Sequence, residues 1–245
     1  MAIADERPPL FYARVAGVIY LLAMVLGIFS QVYVLGRIVD DDPARTAQQI
    51  ATSEGLFRLG IVVDVITFAT DVVIAWALYE LLKSVDMSLA LLGALLRVAD
   101  AAILAVTTVS GLVTLRLLSG VGYLQAFEPS QLQSLARLYV SVRGNGFPVG
   151  FVFLGLGSTV FAYLLLRSRY VPRALAGWGI FASLLLAIGS LGVMLSPWFA
   201  ANAGMLYMVP MFFYEVPLGL WFLIRGVRVS GGVQQPEASL GRHAL

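Results

Sequence analysis

The chain has 245 residues, 60% hydrophobic and only 12% charged, about half the charged fraction of an ordinary soluble domain. Too little polar surface is available to cover such a chain in water, so its solvent is lipid. A net charge of +2 argues against a nucleic-acid partner. The absence of cysteine and a single histidine, His243, argue against disulfides, thiolate chemistry, Cys/His zinc sites, haem and Ser–His catalysis. No cofactor and no metal are expected, and any ionisable chemistry falls to Asp, Glu, Arg, Lys or Tyr.

Six segments are long and apolar enough to span a bilayer, at about 20 residues per span. The first covers 11–36. It follows Asp5, Glu6 and Arg7, exceeds a usual signal-peptide core and precedes no small-x-small cleavage site, so a retained helix is expected after a short segment 1–10. The loop "DDPARTAQQIATSEGLF" predicts a short helix with Asp42 as N-cap and Pro43 at its first position. Without further oxygen ligands, Asp40, Asp41 and Asp42 read as a capping patch rather than a cation site.

The second span, 57–82, contains Asp64 and Asp71, and the third, 88–116, contains Arg97 and Asp100. "FEPSQLQSLARLYV" then predicts another short helix, opened by Pro129, with Leu132, Leu135, Ala136 and Tyr139 on one face. Both loop helices are expected to lie on the outer interface, a lid over a cavity being the alternative.

The fourth span, 146–166, has an irregular entrance, "RGNGFPVG", then Gly155, Gly157 and Ser158, small residues that let helices approach. A backbone-lined pocket is the sharper reading of that entrance. The fifth span is 173–195. In the sixth, 204–225, Pro210 and Pro217 bracket Tyr214 and Glu215, as a kinked or broken helix would. The polar tail over 229–245 is expected to be disordered. The transmembrane domain therefore runs over 11–228.

Orientation follows from the basic residues. Arg7, Arg14, Lys83, Arg167, Arg169, Arg173, Arg225, Arg228 and Arg242 fall on one side. Arg37, Arg45, Arg58, Arg116, Arg137 and Arg143 fall on the other. Both termini are expected to be cytoplasmic. Trp76, Trp178, Trp198 and Trp221 lie near span ends, as aromatic belts require.

Five ionisable residues lie inside the spans: Asp64, Asp71, Arg97, Asp100 and Glu215. At a rise of about 1.5 Å per residue, Asp71, Asp100 and Glu215 fall near mid-depth, with Arg97 one turn inward and Asp64 further out. Arg97 and Asp100, three apart, can touch along one face. In the third span roughly a dozen branched aliphatics contribute about −5 kcal/mol to insertion, while the two charges return about +6 kcal/mol. That helix is marginal alone and must turn both charges toward other helices or a wet cavity. An intrahelical ion pair that fixes packing is the plain reading of Arg97 and Asp100. It does not balance the set, because one deep arginine faces four carboxylates. Protonation, a bound cation, or Arg58 and Arg143 reaching in from the outer ends would restore balance. Asn145 and Tyr214 are further candidate contacts.

The stretches "SEGLFRLG" (53–60) and "LLLRSRYVPRALAG" (164–177) resemble a family of bacterial multi-pass membrane proteins, domain of unknown function 4386. The resemblance covers roughly residues 11 to 228. It implies a bacterial inner-membrane bundle and carries no activity or catalytic residue. The family pattern often has histidine where this chain has Gly157 and glycine where it has Arg169, so no role for that histidine transfers.

The expected fold is an all-α bundle of six transmembrane helices with two short interfacial helices. The expected function is binding or moving a small solute, proton or cation at Asp71, Asp100 and Glu215. Arg97 would be counter-ion and gate partner, and Asp64 would stand on the outward path. An intramembrane enzyme acting on a lipid or isoprenoid, and a scaffold with structural charges, are the alternatives.

Overall fold

The computed structural model describes residues 8–204 and 206–227; residues 1–7 of the N-terminal segment and the tail over 229–245 lie outside them. Regular structure among the described residues is helical throughout. Helix α1 (Pro9–Ile28) passes through a π-helical stretch, Phe29–Val34, into α2 (Leu35–Ile38). There follow α3 (Pro43–Thr52), α4 (Glu54–Leu82), α5 (Met87–Leu118), α6 (Pro129–Ser168), α7 (Arg173–Leu195), α8 (Pro197–Ala203) and α9 (Val209–Ile224). Six stretches are long and apolar enough to cross a membrane: Pro9–Ile38, α4, α5, α6, α7 and Leu206–Ile224.

Successive spans pack as neighbours, α1 on α4, α4 on α5, α5 on α6, α6 on α7 and α7 on α9, and α9 returns to α1. The six therefore form a closed ring. The end where α1 begins is called the near end below, and the opposite one the far end. Exposed Val18, Leu22, Val25, Ile28 and Val32 form one stripe of the first span, running from α1 into the π-helical stretch. In lipid such a stripe is simply the outer wall. Trp76, Trp178 and Trp221 sit toward the near end and Trp198, on α8, at the far end.

Lipid gives apolar helices no hydrophobic reason to associate, so close backbone approach has to supply the packing energy. Glycines provide it at the seams. A Cβ on Gly17 would lie 2.8 Å from the Gly219 carbonyl oxygen and 2.9 Å from the Leu223 amide nitrogen, where α9 meets α1. A Cβ on Gly155 would lie 2.8 Å from the Ala187 amide nitrogen, where α6 meets α7.

Two apolar clusters fill the ring. The near one includes Ala16, Leu78, Leu81, Phe161, Leu165, Leu218 and Phe222. The far one includes Val34, Ile38, Ile50, Phe57, Ile61, Leu115 and Val140. Through Ile50, helix α3 takes part in the far cluster, so it caps the bundle end instead of resting on its surface. Its start is as the sequence predicts, with the Asp42 carboxylate accepting from the Ala44 amide at 2.9 Å.

Three local expectations are corrected. The second short outer helix is not separate: Pro129–Ser168 is one 40-residue helix, and "RGNGFPVG" lies within it. Pro148 withholds one N–H from the ladder, and Gly144 and Gly146 each cost about 1 kcal/mol of helix propensity. Packing of α6 along α5 and under α3 outweighs these losses. Arg137 Nε also ties its outer turns to the Asp40 carbonyl at 2.8 Å. Pro210 opens α9 in the first turn, where a missing N–H costs nothing, so only Pro217 lies inside the helix. A short helix not foreseen, α8, forms in the last far-end loop, with Ser196 accepting from the Phe199 amide at 3.2 Å.

Arg169 closes α6 with φ +58°, the one non-glycine residue with positive φ among those described. Glycine takes that conformation without a Cβ penalty.

Replacing Gly17 by Ala pushes a methyl group into backbone and is expected to destabilise the bundle by about 1–3 kcal/mol. Gly27, with nothing within 4 Å of its built Cβ, serves as control: Gly27→Ala is expected to be neutral or stabilising by up to about 1 kcal/mol. Thermal melting of the two detergent-purified variants checks the contrast.

Candidate functional site

The space between the two apolar clusters is polar, and two arginines organise it. Arg97, on α5, is 1% exposed. Its Nη2 donates to Asp71 Oδ1 of α4 at 2.8 Å. Its Nη1 donates to Ser158 Oγ of α6 at 2.9 Å and to Tyr20 Oη of α1 at 3.2 Å, and lies 3.6 Å from Glu215 Oε1 of α9. One guanidinium thus links five of the six spans. The planar fork of arginine can do this where the point charge of lysine cannot. Gly157 makes room for it: a Cβ there would lie 2.9 Å from the Gly93 carbonyl oxygen and 3.1 Å from Arg97 Cγ.

Nearer the far end, Arg143 of α6, also 1% exposed, forms an ion pair through Nη2 with Asp64 of α4. The same Nη2 donates to Ser30 Oγ at 3.2 Å. Gln31 Nε2 donates to both carboxylate oxygens of Asp64, at 3.2 and 3.4 Å. Ser30 donates to the Gly60 carbonyl at 3.2 Å. In a regular α-helix consecutive side chains diverge by about 100°. Here they lie in the π-helical stretch, and both reach the same neighbour. Such stretches recur at functional positions.

Asp100, one turn from Arg97 along α5, differs from the other carboxylates. It is fully buried, and neither of its carboxyl oxygens has a hydrogen-bond partner among the described residues. The i, i+3 contact with Arg97 suggested by the sequence is not made as an ion pair; the guanidinium is committed to α4 and α9 instead. Arg97 Nε, and Nε and Nη1 of Arg143, are likewise buried without a hydrogen-bond partner.

The other sequence candidates separate by depth. Arg58 does not reach inward: it is exposed and paired to Glu54, one turn back, at 2.7 Å. Asn145 is exposed on α6. Tyr214 is buried with its ring against Gly179. Asp71 and Glu215 retain 15% and 16% side-chain exposure. Sequence reasoning missed Tyr20, Ser30 and Gln31; the one signal was a Ser–Gln pair inside an apolar span. A groove of about 460 Å³ along α1, lined by Leu10, Phe11, Arg14, Val15 and Val18 among others, includes none of the carboxylates.

A ring of six apolar helices around a buried, charged centre defines a multi-pass α-helical membrane protein. The chain matches the family model described as domain of unknown function (DUF4386) over residues 15–226, and it belongs to that family. No curated protein and no solved structure gives a significant match.

Removing Arg143 alone leaves Asp64 buried without its counter-ion. Arg143→Met is expected to destabilise by about 3–5 kcal/mol, and adding Asp64→Leu is expected to recover most of that loss. Unfolding of both single variants and the double variant in detergent gives the coupling; additive losses would show that the two side chains act independently.

Proposed function

We propose that the protein binds, and passes across its membrane, a proton or small cation at the central carboxylates. The observation that carries this reading is the charge imbalance. Four carboxylates, Asp64, Asp71, Asp100 and Glu215, share the interior with two arginines. Fully ionised, they would leave two uncompensated negative charges between apolar clusters. Burial at that cost is unfavourable, so a mobile positive species completes the site.

Asp71 and Glu215 compete for Arg97 and retain some exposure, which suits them to exchange that species. Asp64, held by Arg143 and Gln31, stands on the path toward the far end. The same reading takes the near end as cytoplasmic, since it carries Arg14, Lys83, Arg167, Arg169, Arg173 and Arg225. The membrane would be the bacterial inner membrane.

The isosteric changes Asp71→Asn and Glu215→Gln separate a site from a structural pair. A site predicts some loss of stability in each variant, because buried Arg97 loses a charged partner. It also predicts that the dependence of stability on pH, Na⁺ or K⁺ weakens in each variant. Large losses of stability, with no ion dependence in any form of the protein, would make the charges structural.

A further inference from the structure

We infer that the ion held at the centre is a proton and that its resident carrier is Asp100, an inference that rests on the ion-binding reading above. The geometry around Asp100 leaves little else. A Cβ built on Gly150 would lie 2.7 Å from Asp100 Oδ1, and 2.8 Å from both Cγ and Cδ2 of Leu104. On that side the carboxyl is walled by glycine backbone and leucine methyls.

A bare Na⁺ or divalent ion needs a shell of oxygen ligands, about six for Mg²⁺ and six to eight for Ca²⁺. The wall supplies none, and no group of three or more acidic or histidine side chains arranged to hold a metal occurs among the described residues. A proton needs only one carboxyl oxygen and no added volume. An ionised carboxylate at full burial without a donor is also the costliest form this side chain could take.

The surroundings fit a carrier that exchanges its proton. The charged groups acting on Asp100 are Arg97 of its own helix, Asp71 of α4 and Glu215 of α9. From α4 and α6, the helices packed on α5, the remaining buried charges are Asp64 and Arg143, which are paired to each other. Tyr20 of α1 and Ser158 of α6 are engaged by Arg97. Arg97 spends its charge on Asp71 and Glu215, and Asp100 keeps none of it through direct contact. Uptake converts Asp100–COO⁻ and H⁺ to Asp100–COOH, release reverses it, and no heavy-atom bond changes. Gly150, having no Cβ, leaves the space in which the Asp100 carboxyl lies against the backbone of α6.

The test is infrared difference spectroscopy of the full chain in phospholipid vesicles, stepped between alkaline and acidic pH. The carboxyl region is read with and without ¹³C-labelled aspartate. The expected result is one protonated-carboxyl C=O band, shifted by the label, lost in Asp100→Asn, and unchanged when Na⁺ replaces K⁺ at fixed pH. A band that persists in Asp100→Asn would place the proton elsewhere and overturn the inference. A band abolished by Na⁺ would also overturn it, while leaving ion binding at the site in force. If the wild-type protein shows no labelled band at any pH and its stability responds to no ion, both readings fail. The labelled wild-type spectra decide these last cases even if Asp100→Asn does not fold.

Discussion

The structure depends on a guanidinium that cannot be left alone. Burying a charge of this kind outside water costs several kcal/mol unless its donors are matched. The two Nη groups of Arg97 are matched by groups on four other spans: Tyr20 of α1, Asp71 of α4, Ser158 of α6 and Glu215 of α9. No pair of helices could satisfy it, and α5 inserted alone would be marginal. Closing the ring and burying Arg97 are therefore one event. The apolar packing supplies adhesion through glycine seams such as Gly17 against Gly219, while the arginine specifies which helices meet and at what depth.

A second arginine repeats the device nearer the far end with fewer partners. Arg143 holds Asp64, and the π-helical stretch of the first span brings Gln31 to the same carboxylate and Ser30 to Arg143. The larger apolar cluster runs beside the Arg97 layer, from Phe222 at the near end to Tyr207 at the far end, and the smaller one lies beyond Arg143 and Asp64 toward the far end. Two arginines cannot neutralise four carboxylates, and Asp100, fully buried, has no hydrogen-bond partner on either carboxyl oxygen among the described residues. That asymmetry carries the proposed ion-binding reading.

Much of the fold was legible because membrane spans are written in composition and length. The six segments, the Asp42 cap and the five charges inside the spans required only hydropathy and spacing. The pairing did not follow from spacing. Arg97 and Asp100 look like an i, i+3 pair, yet the guanidinium fork reaches across the ring, where longer-range partners satisfy more of its donors. Arg143 looked like a residue at an outer helix end because Gly144, Gly146 and Pro148 resemble a break. A continuous α6 carries it inside instead. Tyr20, Ser30 and Gln31 are neutral polar residues in apolar text, and their meaning appears only once α4 is packed beside them. The same continuity argument explains Pro210, which marks where α9 starts and not where it bends.

The most direct test is charge movement across vesicles that contain the reconstituted protein, recorded on a solid-supported membrane after a pH step. If the central carboxylates hold an exchangeable proton, the wild-type protein gives a transient current that Asp100→Asn abolishes and Asp71→Asn reduces. A current of equal size in all three proteins, or none in the wild type despite correct folding, would contradict it.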